Sequence, residues 1–425
     1  MFRNRHIITA VEIGTSKICV LIGEANPQGH VSVLACGETP VESGTVCKGE
    51  IVNMDKVTGF LAEAIEKAEH AADVDIDSNN LYISVTGGTH IRSMKGTGHV
   101  IVSGEGRRIS QEHMLEALRN ATMVPIPPEC VILNSVYGNF LIDGLRRMAA
   151  PEGQIADKLE ASAHIIYGNR NCVENFQAPL RELGYDNSIP VFSAIAAASG
   201  VLADDELKNG VLMIDMGAGT TEYMLFHDSG AQASGVLAIG CDHIANDLSV
   251  GLDLNISICR KMVVDNTFHS KKEHGQAFIE FEGNIGLRKI PVVSSEKIVD
   301  IRIREIFGLI LSQLQSTRML SYIDRGVVLT GGGALIPQVR EIAASVFEAP
   351  VRIGNPIDLC GSVTNLKSPR YGMVFGLLKH GNRDLQIMKS GGSKGLFGAI
   401  IKIIDRKLIS VSRDIIRWLK KAIKF

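Results

Sequence analysis

Apolar and polar positions run in short blocks through the first forty residues, over 7–14, 17–24 and 31–37, with Asn26, Pro27 and Gly29 between the last two. Blocks of this length bounded by turn residues predict a three-stranded meander. The period then changes. Between 53 and 71 the apolar positions are Val57, Phe60, Leu61, Ala64, Ile65 and Ala68, the spacing of one helix face. Residues 81–86 (LYISVT) read as a buried strand ending on Gly87 and Gly88. A smaller set with its own core follows: strand 99–103, helix 110–123, prolines 125, 127 and 128, then strands 131–142 and 159–167. Ser110 is the expected N-cap, with Glu112 in the first turn where a carboxylate suits the helix dipole. Helix 172–183 and strand 189–192 return to the first lobe.

Residues 193–202 (SAIAAASGVL) are nearly all small, as in a helix that passes close to other backbone; a buried core helix and a hinge both fit. A second lobe opens at Leu212, continues through helical and loop segments over 242–316, and resumes at Val327. Residues 371–379 form another small-residue helix. Residues 382–393, polar and glycine-rich, read as a linker that packs nothing.

Within this pattern one motif occurs twice. Residues 10–23 (AVEIGTSKICVLIG) and 212–227 (LMIDMGAGTTEYMLFH) each carry an apolar strand ending on a carboxylate, Glu12 or Asp215. A glycine comes two residues later, then small hydroxylated residues and a second apolar strand. That is a β-hairpin whose turn faces an anion. Gly14, Gly217 and Gly219 let backbone N–H groups approach phosphate oxygens, and Thr15, Ser16, Thr220 and Thr221 add hydroxyl donors. The two carboxylates can hold a hydrated magnesium ion between them. A tight hairpin without a ligand explains either segment alone. The repeat implies a duplicated lobe with a ligand clamped between the copies. A third cluster, 326–337 (GVVLTGGGALIP), is a strand, the glycines 331, 332 and 333, and then a helical stretch, which lets a loop pass close to a nucleoside.

Composition narrows the reading. At 425 residues and 45% hydrophobic content the chain can build two or more lobes with separate cores. Its formal charge of −2 gives no overall attraction to nucleic acid. The eight cysteines are scattered without metal-ligand spacing, so they are expected as free thiols in a reducing compartment, without zinc. The N-terminal segment reads as a first strand and not a signal peptide, and no stretch is long and apolar enough to span a bilayer.

The last 32 residues differ from the rest. From 394 to 425, nine Lys and Arg stand against Asp405 and Asp414, a local net of +7. On a helical wheel Arg413, Arg417, Lys420, Lys421 and Lys424 fall on one side, with Val411, Ile415, Trp418, Leu419, Ala422 and Ile423 on the other. Leu396, Phe397, Ile400, Ile401 and Ile404 repeat the apolar spacing. A terminal helix docked on its own protein is one reading. The linker, the basic face and the single tryptophan of the chain favour adsorption to an anionic membrane, each cation contributing about 1 kcal/mol. Several linked copies would turn that weak adsorption into stable attachment.

These residues together resemble the actin superfamily and, within it, the bacterial FtsA cell-division family. The likeness runs through Glu12-Ile13-Gly14-Thr15, the second loop from Asp215 to Glu222, the adenosine loop from Thr330 to Ala334, the two small-residue helices, the insertion after strand 81–86 and the amphipathic end. Actin itself and MreB carry a different subdomain in a different place, and the pilus protein PilM lacks such a tail. The resemblance implies an α/β, actin-like two-lobe ATPase fold with duplicated ribonuclease H-like subdomains. Subdomain 1A would take 1–83 and 164–193 with part of 371–385, and the inserted 1C would take 84–163. Subdomain 2A would take 194–241 and 318–370, 2B 242–317, the linker 386–394 and the membrane-targeting tail 395–425.

It further implies ATP with Mg2+ in the interlobe cleft. Glu12 and Asp215 would hold the metal through water, and Lys17, Ala218, Lys261 and Ala334 would join the loop residues above in contacting the nucleotide. ATPase activity would be weak at most. Expected partners are further copies in a filament, inner-membrane lipid, the C-terminal peptide of the tubulin-like FtsZ at Arg302 and Glu305, and other divisome proteins through 1C. The expected place is the cytoplasmic face of the bacterial inner membrane at the division site.

Two departures stand out. The second loop usually reads Asp-x-Gly-Gly-Gly-Thr-Thr-Asp, whereas Ala218 and Glu222 stand here. Relatives place a glutamate three residues before a lysine for the ribose, and here the pair is Ile258 and Lys261. Weaker nucleotide binding or slow turnover is the expectation. Two alternatives stay open: a PilM-like assembly scaffold, and a small-molecule kinase, for which no general-base aspartate stands in a defensible motif.

Overall fold

The computed structural model describes residues 6–26, 30–102, 105–269, 278–283, 286–361 and 363–389. It divides into two compact units, one of residues up to Arg92 with Asn171–Asn382, the other of Ser93–Arg170 with residues from Arg383 onward.

In the larger unit, β1 (His6–Ile13), β2 (Lys17–Ala25) and β3 (Val31–Pro40) form the expected antiparallel meander. A two-strand ribbon, β4 (Val46–Cys47) and β5 (Glu50–Ile51), leads to α1 (Met54–Ala72). Asn53 caps α1 by accepting the Lys56 amide, and the helix buries Val57, Leu61, Ala64, Ile65 and Ala68. Fully burying an aliphatic side chain of this size stabilises by about 2 kcal/mol. Strand β6 (Leu81–Val85) then pairs parallel with β1.

The smaller unit carries most of β7 (Arg92–Ile101), then α2 (Gln111–Thr122), β8 (Cys130–Tyr137), β9 (Phe140–Ile142), β10 (Arg146–Met148) and β11 (Lys158–Asn169). Ser110 caps α2 as expected, accepting the His113 amide. Met114, Ala117, Leu118 and Ala121 of α2 share a core with Ile142, Leu159 and Ile165 of the sheet. Two expectations change here. β7 begins at Arg92, well before 99, and the single strand 131–142 is broken at Gly138 and Asn139 into β8 and β9, which pair separately with β11.

The larger unit resumes through α3 (Arg170–Glu182), β12 (Ile189–Phe192) and α4 (Ser193–Val201). Its second lobe contains α5 (Asp204–Asn209), β13 (Val211–Met216), β14 (Thr221–His227), β15 (Gly230–Leu237), α6 (Cys241–Leu252) and α7 (Ile256–Asp265). The ribbon β16 (Phe278–Gly283) and β17 (Gly286–Pro291) precedes α8 (Val292–Ser316), β18 (Val327–Thr330), α9 (Val339–Phe347) and β19 (Val351–Ile353). β20 (Cys360–Gly361) returns to pair with β3, and α10 (Gly372–Lys389) closes the described chain.

The duplication is plain in the two main sheets. One runs β12-β6-β1-β2-β3 and the other β19-β18-β13-β14-β15, each with an antiparallel meander at one side and parallel strands at the other. Helix α4 is almost wholly buried, and a Cβ at Gly376 of α10 would collide with the carbonyl of Ala196. The small residues of both helices are thus explained by contact of one backbone with the other. The linker expectation is corrected in part: α10 continues to Lys389, and Asn382 and Asp384 are buried. Residues 390–425 lie outside the described residues, including the tail calls Arg413, Ile415, Arg417, Trp418, Leu419, Lys420, Lys421, Ile423 and Lys424. Among the described residues no helix is long and apolar enough to cross a membrane.

Candidate functional site

The two acidic turns are built alike. The first is closed by the Gly14 amide donating to the Lys17 carbonyl at 2.9 Å, and the second by the Gly217 amide donating to Thr220 at the same distance. Behind the second turn, the first amides of α6 take its carbonyls: Cys241 donates to Gly217 at 3.0 Å and Asp242 to Ala218 at 2.9 Å. These two bonds tie the turn's carbonyls to the start of the helix.

Glu12 and Asp215 line one cleft of about 430 Å³ between the lobes. Gly14, Thr15, Ser16, Lys17, Gly217, Ala218, Gly219, Thr220 and the glycines 331–333 line it as well. Three expected residues lie off its wall. Thr221 is buried with its hydroxyl donating to Ile239 at 2.7 Å, and Ala334 packs into the second-lobe core. Lys261 is exposed, because one residue of helix turns the side chain through about 100° and puts Arg260 on the cleft instead. Ile258 packs against the second-lobe core.

Charge in the cleft is tightly arranged. Lys17, 6% exposed, pairs with Glu12 at 2.6 Å and lies 5.2 Å from the Tyr371 ring centroid. Burial, the largest single influence, would lower the Lys17 pKa, but Glu12, Cys19 and Glu38 together outweigh it and hold the ammonium charged. Burial first, then the neighbouring Glu222 and Glu12 carboxylates, raise Asp215 well above the usual range, and Lys17 opposes that rise only in part. Glu222 is 4% exposed and accepts hydrogen bonds from the hydroxyls of Thr86 and Ser193, both on the first lobe. Its burial pushes it up to about 7, the two hydroxyls opposing that rise. Cys241, also on the cleft wall, is pushed up to about 12 by burial and by Asp242 and Asp215, so it stays a thiol.

Sequence reasoning missed Thr86, Ser193, Asp242 and Arg260 as cleft residues. Thr86 and Ser193 had a readable signal, since each follows the C-terminal end of a parallel strand, β6 or β12, where open α/β sheets bind ligands. Asp242 and Arg260 had none. Away from the cleft, Arg302 of α8 grips Asp247 of α6 through Nε at 2.5 Å and Nη2 at 2.8 Å, and its Nη1 donates to Glu305 at 2.6 Å. Both expected partner-surface residues are therefore joined in an ion-pair network within the second lobe.

A family model described as "Cell division protein FtsA" matches residues 212–376, and one described as "SHS2 domain inserted in FTSA" matches 88–167. The cell division protein FtsA of Neisseria meningitidis serogroup B is 30% identical over 391 residues, covering 89% of this chain and 91% of that protein. The chain belongs to the FtsA cell-division family. The FtsA of Borreliella burgdorferi is 28% identical over 398 residues, covering 92% and 95% of the two chains. Among solved structures, a PilM-PilN type IV pilus biogenesis complex aligns with a TM-score of 0.56 at 14% identity, over 88% of this chain and 98% of that one. MreB5 of Spiroplasma citri bound to AMPPNP aligns with a TM-score of 0.52 at 14% identity, over 90% and 96%. The fold of this FtsA-family chain is thus actin-like, with the SHS2 domain inserted in its first lobe.

Proposed function

We propose that this family member binds ATP with Mg2+ in the cleft, polymerises on the inner membrane and anchors FtsZ filaments to it during septum assembly. The observation that carries the reading is the shared wall: two turns of one design, contributed by sister sheets, line a single cavity with their carboxylates inside it. The donor set suits magnesium, which takes oxygen ligands, needs few carboxylates and completes its shell with water and phosphate oxygens. Glu12 and Asp215 would hold the ion, which supplies charge neutralisation to the phosphates. Lys17 holds the Glu12 carboxylate in place through their ion pair. Asp215, raised well above the usual carboxylate range by burial and by Glu222 and Glu12, would be favoured in its ionised form by a dication beside it. The loop amides, fixed by the α6 contacts, would position the phosphates, and the gap between lobes sets how closely they are held.

The tail 395–425 would supply membrane attachment and Arg302 with Glu305 the FtsZ contact, while the inserted unit would meet other divisome proteins. The test joins calorimetric titration of the full chain with ATP, with and without Mg2+, to liposome sedimentation of the same protein and of a variant lacking 394–425. Magnesium-dependent ATP binding, with liposome binding lost only in the truncated chain, is the expected result. ATP binding absent from the full chain would overturn the nucleotide reading, and liposome binding retained by the truncated chain would overturn the anchor.

A further inference from the structure

The cleft wall holds a carboxylate and a guanidinium that the repeated loops do not account for. Asp242, at the start of α6, is tied to the second turn through its amide on Ala218. Arg260 of α7 lies 3.5 Å from the Asp242 carboxylate and donates to the Ser43 hydroxyl on the first lobe. One turn further along α7 the lining becomes apolar. Val263 and Val264 line the cleft with Leu335 and Ile336 from the loop after the three glycines. Val264 and Leu335 are 76% and 47% exposed, uncommon for large aliphatic side chains on a cavity wall and suited to cover by a flat apolar group. Around the cleft, then, anion-facing turns give way to a charged hydrogen-bonding pair, and that pair gives way to an apolar wall.

Phosphate, sugar and base follow one another in the same sequence of chemistries. We propose that Asp242 is the sugar-binding residue of this cleft, its carboxylate accepting the ribose hydroxyls, and that Arg260 positions it. This rests on the nucleotide reading above and names the residues that recognise the ribose. A carboxylate is the group suited to the task, because it accepts from two vicinal hydroxyls at once and each such bond is charge-assisted. Ile258 and Lys261 do not provide it, one being packed against the core and the other facing away from the cleft wall. Arg260 fixes the Asp242 carboxylate from the side, and its reach to Ser43 ties the sugar position to the separation of the lobes.

The test compares binding of ATP and 2′,3′-dideoxyATP, in Mg2+, to the full chain and to three variants. The unaltered chain is expected to bind ATP at least about tenfold tighter than the dideoxy analogue, as loss of a hydrogen bond to a charged group requires. Asp242→Ala should bring that ratio close to one, and the isosteric Asp242→Asn should lower it severalfold even if the alanine variant folds poorly. Lys261→Ala should leave it unchanged. An undiminished ratio in both Asp242 variants, or a ratio lost in Lys261→Ala, overturns the assignment. Equal affinity of the unaltered chain for both nucleotides overturns it too, while leaving the nucleotide cleft standing. Binding of neither nucleotide removes the nucleotide reading itself.

Discussion

Thr15 and Gly219 sit face to face, one on each acidic turn, so closely that a Cβ at 219 would collide with the Thr15 hydroxyl oxygen. The two lobes meet at this point through a hydroxyl and a bare backbone, and a side chain there must either displace the Thr15 hydroxyl or push the lobes apart.

Gly219→Ala should therefore weaken ATP binding by tenfold or more while leaving the fold intact, because the strain is relieved by moving the Thr15 hydroxyl or opening the cleft and not by disturbing a core. Calorimetric titration checks the affinity, and an unchanged thermal midpoint checks the fold. Affinity equal to that of the unaltered chain would show that the turns need not approach this closely.

Glu222 makes stability depend on pH. Its carboxyl titrates near 4.5 when unfolded and is pushed up to about 7 by burial in the folded chain. Between those values the folded state holds the proton that the unfolded state has released, so stability falls as pH rises through this window and levels off above it. The loss is up to about 3 kcal/mol. Glu222→Gln should flatten the profile between pH 5 and 7 relative to the unaltered chain, measured as urea midpoints across that range. Glu222→Gln also removes one of the carboxylates that raise Asp215, so the flattening reports the two coupled acids together.

The contact of α4 with α10 leaves no room for a side chain at Gly376, whose Cβ would meet the Ala196 carbonyl and not a movable group. Gly376→Val should destabilise the chain by about 3 kcal/mol, at the upper end for overpacking because helix backbone must shift. Chemical denaturation reads this directly, and a cost under about 1 kcal/mol would mean the helices part easily.

Arg302 and Asp247 form a two-pronged pair, each partly shielded from water, with side-chain exposures of 22% and 30%. A double-mutant cycle on Arg302→Ala and Asp247→Ala should give a coupling of about 1 kcal/mol. The same variants separate two roles for the arginine. Loss of FtsZ-peptide binding in Arg302→Ala but not in Asp247→Ala would place the arginine in direct contact with the peptide, whereas equal loss in both would mean that α6 and α8 must be held together.

Much of the site was written in local sequence. Each acidic turn needs only its own strand ends, a glycine and a few hydroxyls, so Glu12 with Gly14 and Asp215 with Gly217 were legible one hairpin at a time. The core face of α1 was equally legible, since period and cap both lie within twenty residues. Strand breaks in the inserted unit were not. Residues 131–142 (VILNSVYGNFLI) hold polar residues at two places, and pairing with β11 decides that the chain turns at Gly138 and Asn139 and not at Asn134 and Ser135.

What the sequence determined alone was the duplicated hairpin chemistry and the order of the elements, because both depend on neighbours along the chain. Tertiary structure decided which side chains share the cleft. Thr86, Ser193, Asp242 and Arg260 come from four distant segments and meet there only when two sheets of like topology face each other. It also decided that Arg260 and not Lys261 faces inward, since the rotation of α7 is set by burying Cys259, Met262 and Val263 against the second-lobe core. A helix has one way to bury its apolar stripe, and every other residue on it goes where that choice leaves it.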